Sequence, residues 1–259
     1  MIDTMAKVKN LRFVYSTLIV FVLLSFTTAP RRTTVYLIGD STMSNKETKA
    51  YPETGWGMPF QYFFDSTVVV DNRAKNGRST RSFIAENLWQ PIVDKLKEGD
   101  YVFIQFGHND ESKDKVDRYS SPEDYKKNLV KFIAETRAKN ANPVLLTPVT
   151  RRKFVDGKIQ ETHAAYSPLV VEVAKAQHIP LIDLDAKSRE LLQKFGEESS
   201  TLLFLQLQPG EHPNYPDGKI DNTHFSEMGA RLMAQIVLHE IVNQKLELTG
   251  RIVKPVAAK

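Results

Sequence analysis

Two short polar blocks of the sequence carry the residue types that acyl transfer needs. The first, at 39–43, reads Gly-Asp-Ser-Thr-Met and places Ser41 just after an apolar run. The second, at 221–224, reads Asp-Asn-Thr-His, with Asp221 three residues before His224. An aspartate at this spacing can accept the Nδ1–H of the histidine ring and leave Nε2 free to take a proton from a serine hydroxyl. The two blocks therefore predict Ser41 as a nucleophile, His224 as its base and Asp221 as the group that orients the base.

Two further blocks carry groups that could stabilise a developing oxyanion. Gly77 lies in Asn-Gly-Arg-Ser at 76–79, and Asn109 lies in Gly-His-Asn-Asp at 107–110. A glycine amide, the side-chain amide of Asn109 and an unpaired N–H in the turn at Ser41 are suitable donors, and losing one such donor costs about 10²–10³ in turnover. Each block alone is also typical of an ordinary turn. Their coincidence on one rim is what favours a site.

The elements that must position these blocks follow from the hydrophobic pattern. After residue 30, short β-branched apolar runs alternate with stretches of helical period, which is typical of parallel strands joined by crossover helices. The predicted strands are Thr34–Gly39, Thr67–Asn72, Tyr101–Gly107, Pro143–Thr147 and Pro180–Leu184, and the predicted helices lie near 57–65, 80–97, 122–138, 160–177, 185–196 and 226–244. This pattern predicts a three-layer α/β/α sandwich around a five-stranded parallel sheet, with ligands bound outside the carboxyl ends of the strands. The Asp221–His224 block is expected in a loop that runs into the last helix.

The four blocks resemble the SGNH, or GDSL, hydrolase family over most of residues 33–245, with Ser41, Gly77, Asn109 and His224 at its signature positions. Within it, the chain is similar to the rhamnogalacturonan acetylesterases at 55–57, 147–152 and 217–219. The resemblance implies a flavodoxin-like fold and removal of O-acetyl groups from pectic polysaccharide or oligosaccharide without metal or organic cofactor. It also implies an oxyanion hole of Ser41, Gly77 and Asn109. The Gly-x-Ser-x-Gly elbow of the α/β-hydrolases is absent, since Met43 replaces its second glycine.

Three residues near the predicted rim could contact the sugar. Arg151 and Arg152 follow the fourth predicted strand, and a guanidinium suits the carboxylate of a galacturonate unit. Adjacent arginines in a loop are also common without a ligand. Trp56 could stack on a sugar ring, although a tryptophan after a glycine is also typical of core packing.

Charge and cysteine content exclude several classes of partner and site. Residues 1–29 hold three of the basic and one of the acidic side chains, so without them the formal charge falls from +4 to +2. A balance so close to zero gives no electrostatic case for a nucleic-acid partner. The chain has no cysteine, which excludes disulfides, thiolate metal ligands and a cysteine nucleophile. We expect a monomer.

The first 29 residues have the pattern of a signal peptide. A short basic stretch precedes the apolar run 13–26, and small residues follow it up to Ala29. A 14-residue run is shorter than the roughly 20 residues that span a bilayer as a helix. We therefore expect one catalytic domain over 30–259, exported to the periplasm or the medium and without membrane attachment after cleavage. An uncleaved anchor is the alternative.

Other functions remain open at this stage. Asp40, His108, Asp110, Asp221 and His224 could supply ligands to a two-metal phosphoesterase, although the order Gly-His-Asn-Asp does not match those enzymes. A carbohydrate-binding protein without activity, an acyl transferase, a deacetylase of another carbohydrate such as xylan and a small-ester hydrolase are further alternatives. Asp40 receives no catalytic step, and His163 is expected early in a helix, packed or facing solvent.

Overall fold

A parallel sheet of five strands forms the centre of the computed structural model, which describes residues 32–254. In chain order the strands are β1 (Thr33–Gly39), β2 (Val68–Asn72), β3 (Tyr101–Gln105), β4 (Asn142–Leu146), β5 (Phe154–Val155), β6 (Lys158–Ile159), β7 (Leu181–Ile182), β8 (Phe204–Leu207) and β9 (Lys219–Phe225). The central sheet has the order β2-β1-β3-β4-β7. Counted within the sheet, this is the flavodoxin-like order 2-1-3-4-5. The predicted fold class is thereby confirmed, and each predicted strand has its counterpart.

Helices cover both faces of the sheet. They are α1 (Gly57–Phe60), α2 (Thr80–Ala85), α3 (Gln90–Val93), α4 (Pro122–Arg137), α5 (Ser167–Gln177), α6 (Leu184–Ser199) and α7 (Glu227–Asn243), with short 3₁₀ turns at Thr48–Ala50, Gln61–Phe63, Ser200–Leu203 and Glu247–Arg251. The helix predicted over 80–97 is divided, because Asn87 has φ 54° and breaks the helical path. The helix predicted over 160–177 begins only at Ser167, with a proline in its first turn.

The alternation of side chains along each central strand separates two hydrophobic layers. Val35 and Leu37 of β1 pack in one buried cluster with residues of α1, α6 and α7. Tyr36 and Ile38 of the same strand pack in the other, with residues of α2, α3, α4 and α5. Because successive strand residues point to opposite faces, both faces of the sheet are buried. This is the three-layer arrangement that the sequence predicts.

Two small hairpins are absent from the sequence prediction. In the first, β5 pairs antiparallel with β6 through Asp156 and Gly157, whose φ values are 51° and 73°. Positive φ at both turn residues is the geometry for which an Asp-Gly pair is suited. This hairpin ends at Ile159, just ahead of the region predicted as helix 160–177, and His163 follows it outside any helix.

The second hairpin corrects the predicted position of Asp221 and His224. The block lies in β9 and not in a loop. Strand β8 pairs with β9 at Phe204↔Phe225 and again at Gln206↔Ile220. These two pairs are two residues apart on β8 but five residues apart on β9. The extra residues of β9 bulge out of the ladder, which re-aims side chains as bulges commonly do. Because a bulged, polar strand lacks the alternation of apolar and polar residues, its sequence resembles that of a loop.

The carboxyl ends of the central strands meet along one edge of the sheet. The register places Gly39 at the end of β1 opposite Gln105 at the end of β3. Ser41, Gly77 and Asn109 therefore follow β1, β2 and β3 on the same edge. All these elements belong to a compact unit that begins at Thr33. The predicted signal peptide lies outside the described residues. Among residues 32–254, no helix has the length and apolar character to cross a bilayer.

Candidate active site

A tight turn after β1 presents Ser41. The amides of Met43 and Ser44 donate to the carbonyl of Asp40, and the fully buried Asp40 carboxylate accepts from both the amide and the hydroxyl of Thr42. A Cβ on Gly39 would lie 2.5 Å from the carbonyl oxygen of Gln105. Only glycine therefore lets β1 end so close to β3. The role of Asp40, left open by the sequence, is to hold this turn, and burial raises the pKa of its carboxyl while the Thr42 hydrogen bonds oppose that rise.

Ser41, His224 and Asp221 form a continuous chain of contacts. Ser41 Oγ lies 2.9 Å from His224 Nε2, and His224 Nδ1 lies 2.8 Å from Asp221 Oδ2. A carboxylate beside Nδ1 favours the tautomer with its proton on Nδ1. Nε2 is then the acceptor for the serine hydroxyl. The three residues are separated by up to 183 positions in the chain, and the fold brings all of them together.

The Asp221 carboxylate is held in its charged form. Burial alone would raise its pKa, but hydrogen bonds from the side chain and amide of His224, the charge of His224 and the amide of Thr223 together lower the pKa well below its ordinary value. Oδ1 accepts from the amides of Thr223 and His224 at 2.8 and 2.9 Å. The carboxylate is thus fixed by the backbone of the bulge as well as by the imidazole ring.

Three candidate oxyanion donors, the amides of Ser41 and Gly77 and the side chain of Asn109, follow β1, β2 and β3 at the same edge of the sheet. Within the described residues, neither the Ser41 amide nor the Gly77 amide has a hydrogen-bond acceptor. Gly77 has φ 73°, a left-handed conformation that favours glycine. Asn109 Nδ2 donates one bond to the carbonyl of Arg78 at 3.0 Å, which leaves its second N–H available.

Two cations that carry no signal in the sequence fix these donors. Arg118 Nη1 lies 3.5 Å from Asn109 Oδ1, so the oxygen of that amide faces the arginine and the nitrogen faces the opposite way. The buried Lys46 ammonium lies 2.6 Å from the carbonyl of Ser41, 2.8 Å from Asn76 Oδ1 and 2.6 Å from Glu53 Oε1. Because Asn76 precedes Gly77, Lys46 joins the serine turn to the loop that carries the second oxyanion donor.

The prediction that Trp56 stacks on a sugar ring is wrong, because the fold places this side chain in the core. Its side chain is fully buried, and its indole N–H donates to Gln105 Oε1 at 2.6 Å. Gln105 Nε2 donates onward to the hydroxyl of Thr42 at 2.7 Å, and this hydroxyl donates to Asp40 at 2.8 Å. Trp56 therefore supports the serine turn through a chain of buried hydrogen bonds.

Both predicted sugar-binding arginines are engaged with the protein itself. Arg151 Nη2 donates to the carbonyl of His108 and to Glu111 Oε1 at 3.3 and 3.2 Å. Arg152 donates to Ser200 Oγ, to Asn222 Oδ1 and to the carbonyl of Glu197. Since Asn222 lies between Asp221 and His224, Arg152 anchors the bulge of β9. The geometry thus gives both side chains positioning contacts and does not support them as uronate ligands.

A pair of buried histidines lies behind the rim. His163 is fully buried, with Nδ1 3.1 Å from Glu111 Oε2 and Nε2 3.1 Å from the carbonyl of Val149. Its ring packs edge-on against His108 with centroids 4.3 Å apart. Burial, then the neighbouring charges of His163 and Arg151, hold the pKa of His108 well below its ordinary value. No group of three or more His, Cys, Asp and Glu side chains suited to a metal occurs within residues 32–254.

We expect Asp110 to make the stability of the protein depend on pH. Its fully buried carboxylate accepts from the amide and hydroxyl of Thr80 and from Ser120 Oγ, and burial raises its pKa from 3.8 to about 7. Between these values the folded protein keeps a proton that the unfolded chain has lost. The free energy of unfolding should therefore fall as pH rises through this window, by up to about 1.4 kcal/mol per pH unit.

The Asp110→Asn variant should lack this slope, because its amide cannot titrate. Urea unfolding of both proteins at pH 4 to 8 measures the difference in their free energies of unfolding. The free energy of unfolding of the wild type, relative to that of Asp110→Asn, should fall from pH 4 to 7 and then level off. Asp114→Asn, at an exposed position of the same loop, should leave the slope in place. Parallel curves for wild type and Asp110→Asn would show that Asp110 has an ordinary pKa.

Comparison with known proteins gives the geometry a family context. Residues 37–232 match the GDSL-like Lipase/Acylhydrolase family. The chain is 42% identical over 220 residues to the rhamnogalacturonan acetylesterase RhgT of Bacillus subtilis, covering 85% of this chain and 94% of RhgT. It is 35% identical to the probable rhamnogalacturonan acetylesterase YesY of the same organism, covering 85% of this chain and 97% of YesY.

Solved structures show the same fold. The crystal structure of YxiM from Bacillus subtilis has a TM-score of 0.72 at 25% identity and covers 83% of this chain, which spans 58% of that structure. Axe2, an acetylxylan esterase from Geobacillus stearothermophilus, has a TM-score of 0.59 at 18% identity, covering 82% of this chain and 96% of its own. At that identity, the likeness to Axe2 concerns the fold alone.

Proposed function

This chain belongs to the GDSL-like lipase/acylhydrolase family, and we propose that it is a serine esterase that removes acetyl groups from rhamnogalacturonan-type pectic polysaccharide. The observation that carries the proposal is the contact chain from Ser41 through His224 to Asp221, together with a Ser41 amide that has no acceptor among residues 32–254. The substrate class is supported by two relatives, named as a rhamnogalacturonan acetylesterase and a probable one, at 42% and 35% identity over most of the chain.

Acylation of Ser41 is the first half of the proposed reaction. His224 Nε2 takes the hydroxyl proton as Ser41 Oγ attacks the carbonyl carbon of the acetyl group. The tetrahedral oxyanion accepts hydrogen bonds from the amides of Ser41 and Gly77 and from Asn109 Nδ2. The C–O bond to the sugar then breaks, and the sugar oxygen leaves with the proton from His224. The product of this half is acetyl-Ser41 and a free sugar hydroxyl.

Deacylation repeats these steps with water. His224 takes a proton from the water as its oxygen attacks the acetyl carbon, and then returns a proton to Ser41 Oγ as acetate leaves. Asp221 stays ionised throughout and stabilises the imidazolium that forms in both halves. Its strongly lowered pKa suits this role, because the carboxylate does not compete for the proton.

Acetate release from a substrate panel tests the proposal. Purified protein is assayed on acetylated rhamnogalacturonan, acetylated homogalacturonan, acetylated xylan and a small acetyl ester. We expect the highest kcat/KM on rhamnogalacturonan, activity that survives EDTA, and loss of activity after treatment with a fluorophosphonate. A higher kcat/KM on xylan would contradict the substrate, and resistance to the fluorophosphonate would contradict the serine mechanism. Transfer of acetyl to an added sugar would indicate a transferase.

Export through a removable signal peptide over residues 1–29 is part of the proposal. The supporting observation is the basic stretch followed by the apolar run 13–26. A polymeric pectic substrate outside the cell is consistent with this location. The intact mass of protein recovered from the medium or periplasm measures the result. A chain that starts close to residue 30 is expected, whereas one that starts at Met1 would contradict cleavage.

A further inference from the structure

A groove of about 830 Å³ lies beside the catalytic turn. One wall comes from the segment between the serine turn and the 3₁₀ turn after α1, including Tyr51 and Tyr62, and the other from the start of α7, including Met228 and Arg231. Its volume falls within the range of about 300–1,000 Å³ that is usual for ligand clefts. The sequence gives no signal for the groove, because its walls are about 170 residues apart in the chain.

Two contacts tie this groove to the catalytic residues. Lys46, which lines it, lies 2.6 Å from the carbonyl of Ser41. The amide of Thr54, also in the lining, donates to the carbonyl of Phe225, the residue after His224, at 3.0 Å. A polymer with one acetyl group at Ser41 could therefore continue into the groove with its neighbouring sugar units.

The groove displays apolar side chains that the rest of the fold leaves uncovered. Tyr62 is 74% exposed, Met228 48% and Tyr51 44%. Large side chains at this level of exposure mark binding surfaces when they cluster. A tyrosine offers a flat apolar ring with a polar tip, which suits a sugar ring with its own C–H face and hydroxyl rim.

Arg231 is one of two cations that line the groove. Within the described part of the chain its exposed guanidinium has no hydrogen-bond or ion-pair partner. Glu227 lies one helical turn earlier, where an ion pair could form, but it accepts a hydrogen bond from the Tyr51 hydroxyl at 2.7 Å instead. The other cation, Lys46, has its ammonium engaged by three oxygens. A carboxylate entering the groove would therefore meet Arg231.

We infer that this groove binds the sugar units next to the acetylated residue, and that Arg231 holds the carboxylate of a uronate unit there. The inference rests on the proposed function and extends it to the recognition of the polymer backbone. A guanidinium with two parallel N–H groups matches a carboxylate in both charge and geometry. Arg151 and Arg152, the arginines that the sequence suggests, are occupied elsewhere.

Binding to an inactive protein tests the inference separately from catalysis. The Ser41→Ala protein is titrated by calorimetry with a rhamnogalacturonan oligosaccharide, and with the same oligosaccharide after methyl esterification of its carboxyl groups. The Ser41→Ala/Arg231→Gln protein is titrated with both. Loss of one charge-assisted pair should raise Kd for the free acid about 10-fold or more. The Kd for the neutral ester should change much less.

Lys139→Gln in the Ser41→Ala background is the matched control. It removes one exposed positive charge just ahead of β4, at the opposite edge of the sheet, and should leave both Kd values unchanged. Equal changes with acid and ester, no change with either, or no binding of the acid to Ser41→Ala would overturn the inference. Failure of the proposed function gives a different result, namely intact oligosaccharide binding with no acetate released by the wild type.

Discussion

The Ser41→Ala variant should release acetate at least about 10⁴-fold more slowly than the wild type, on polymer and on small esters alike. Without the hydroxyl, His224 has no serine oxygen to deprotonate and no acyl-enzyme can form. The amides of Ser41 and Gly77 and the Asn109 side chain remain in place, so a small residual rate above that of water is expected. Initial rates of acetate release measure the change.

The control for this substitution is Ser66→Ala. Ser66 is exposed in the turn ahead of β2, at the edge of the sheet opposite the site, and its hydroxyl has no hydrogen bond within the described residues. That variant should keep the wild-type rate. Thermal unfolding of all three proteins checks that Ser41→Ala is folded. A folded Ser41→Ala protein that kept more than a few per cent of the wild-type rate would exclude Ser41 as the nucleophile.

The second large effect is expected for Asp221→Asn, at about 10⁴-fold in kcat. The asparagine oxygen can still accept from the amides of Thr223 and His224, so the bulge should keep its shape. The asparagine Nδ2, however, would donate to His224 Nδ1. This hydrogen bond favours the tautomer with the proton on Nε2, and that nitrogen could no longer accept the proton of Ser41.

Asp217→Asn is the matched control for Asp221→Asn. Asp217 is exposed four residues earlier, ahead of β9, with no side-chain hydrogen bond in the described part. Loss of its charge should change kcat by less than about 2-fold, an effect typical of surface positions. If Asp221→Asn lowered kcat by less than about 10-fold, the orientation of His224 would have to come from another group.

The fold was accessible from the sequence because its signals are local. Each central strand is a short apolar run, and the parallel arrangement requires that the residues after β1, β2 and β3 share one edge. Ser41, Gly77 and Asn109 could be placed on a common rim by this reasoning alone. The hairpin β5–β6 also had a local signal, the Asp156-Gly157 pair, but its strands are only two residues long and show no period.

The bulge of β9 had no comparable signal. Its residues 221–224 are polar and do not alternate, and the ladder that defines the strand is made with β8, about 15 residues away. The burial of Trp56 was equally inaccessible, since it depends on Gln105 at the end of another strand. A tryptophan after a glycine looks the same whether it faces the core or a sugar.

Residue types at a few positions were enough to determine the chemistry: a serine, a histidine three residues after an aspartate, a glycine and an asparagine. The tertiary structure alone decided which basic side chains are available to bind a substrate carboxylate. Arg151 and Arg152 are held by oxygens 40 and 70 residues away and Lys46 by an asparagine oxygen 30 residues away, whereas Arg231 has no hydrogen-bond or ion-pair partner within residues 32–254. The physical reason is that a long basic side chain takes its role from the acceptors within its reach, and folding brings those acceptors from elsewhere in the chain.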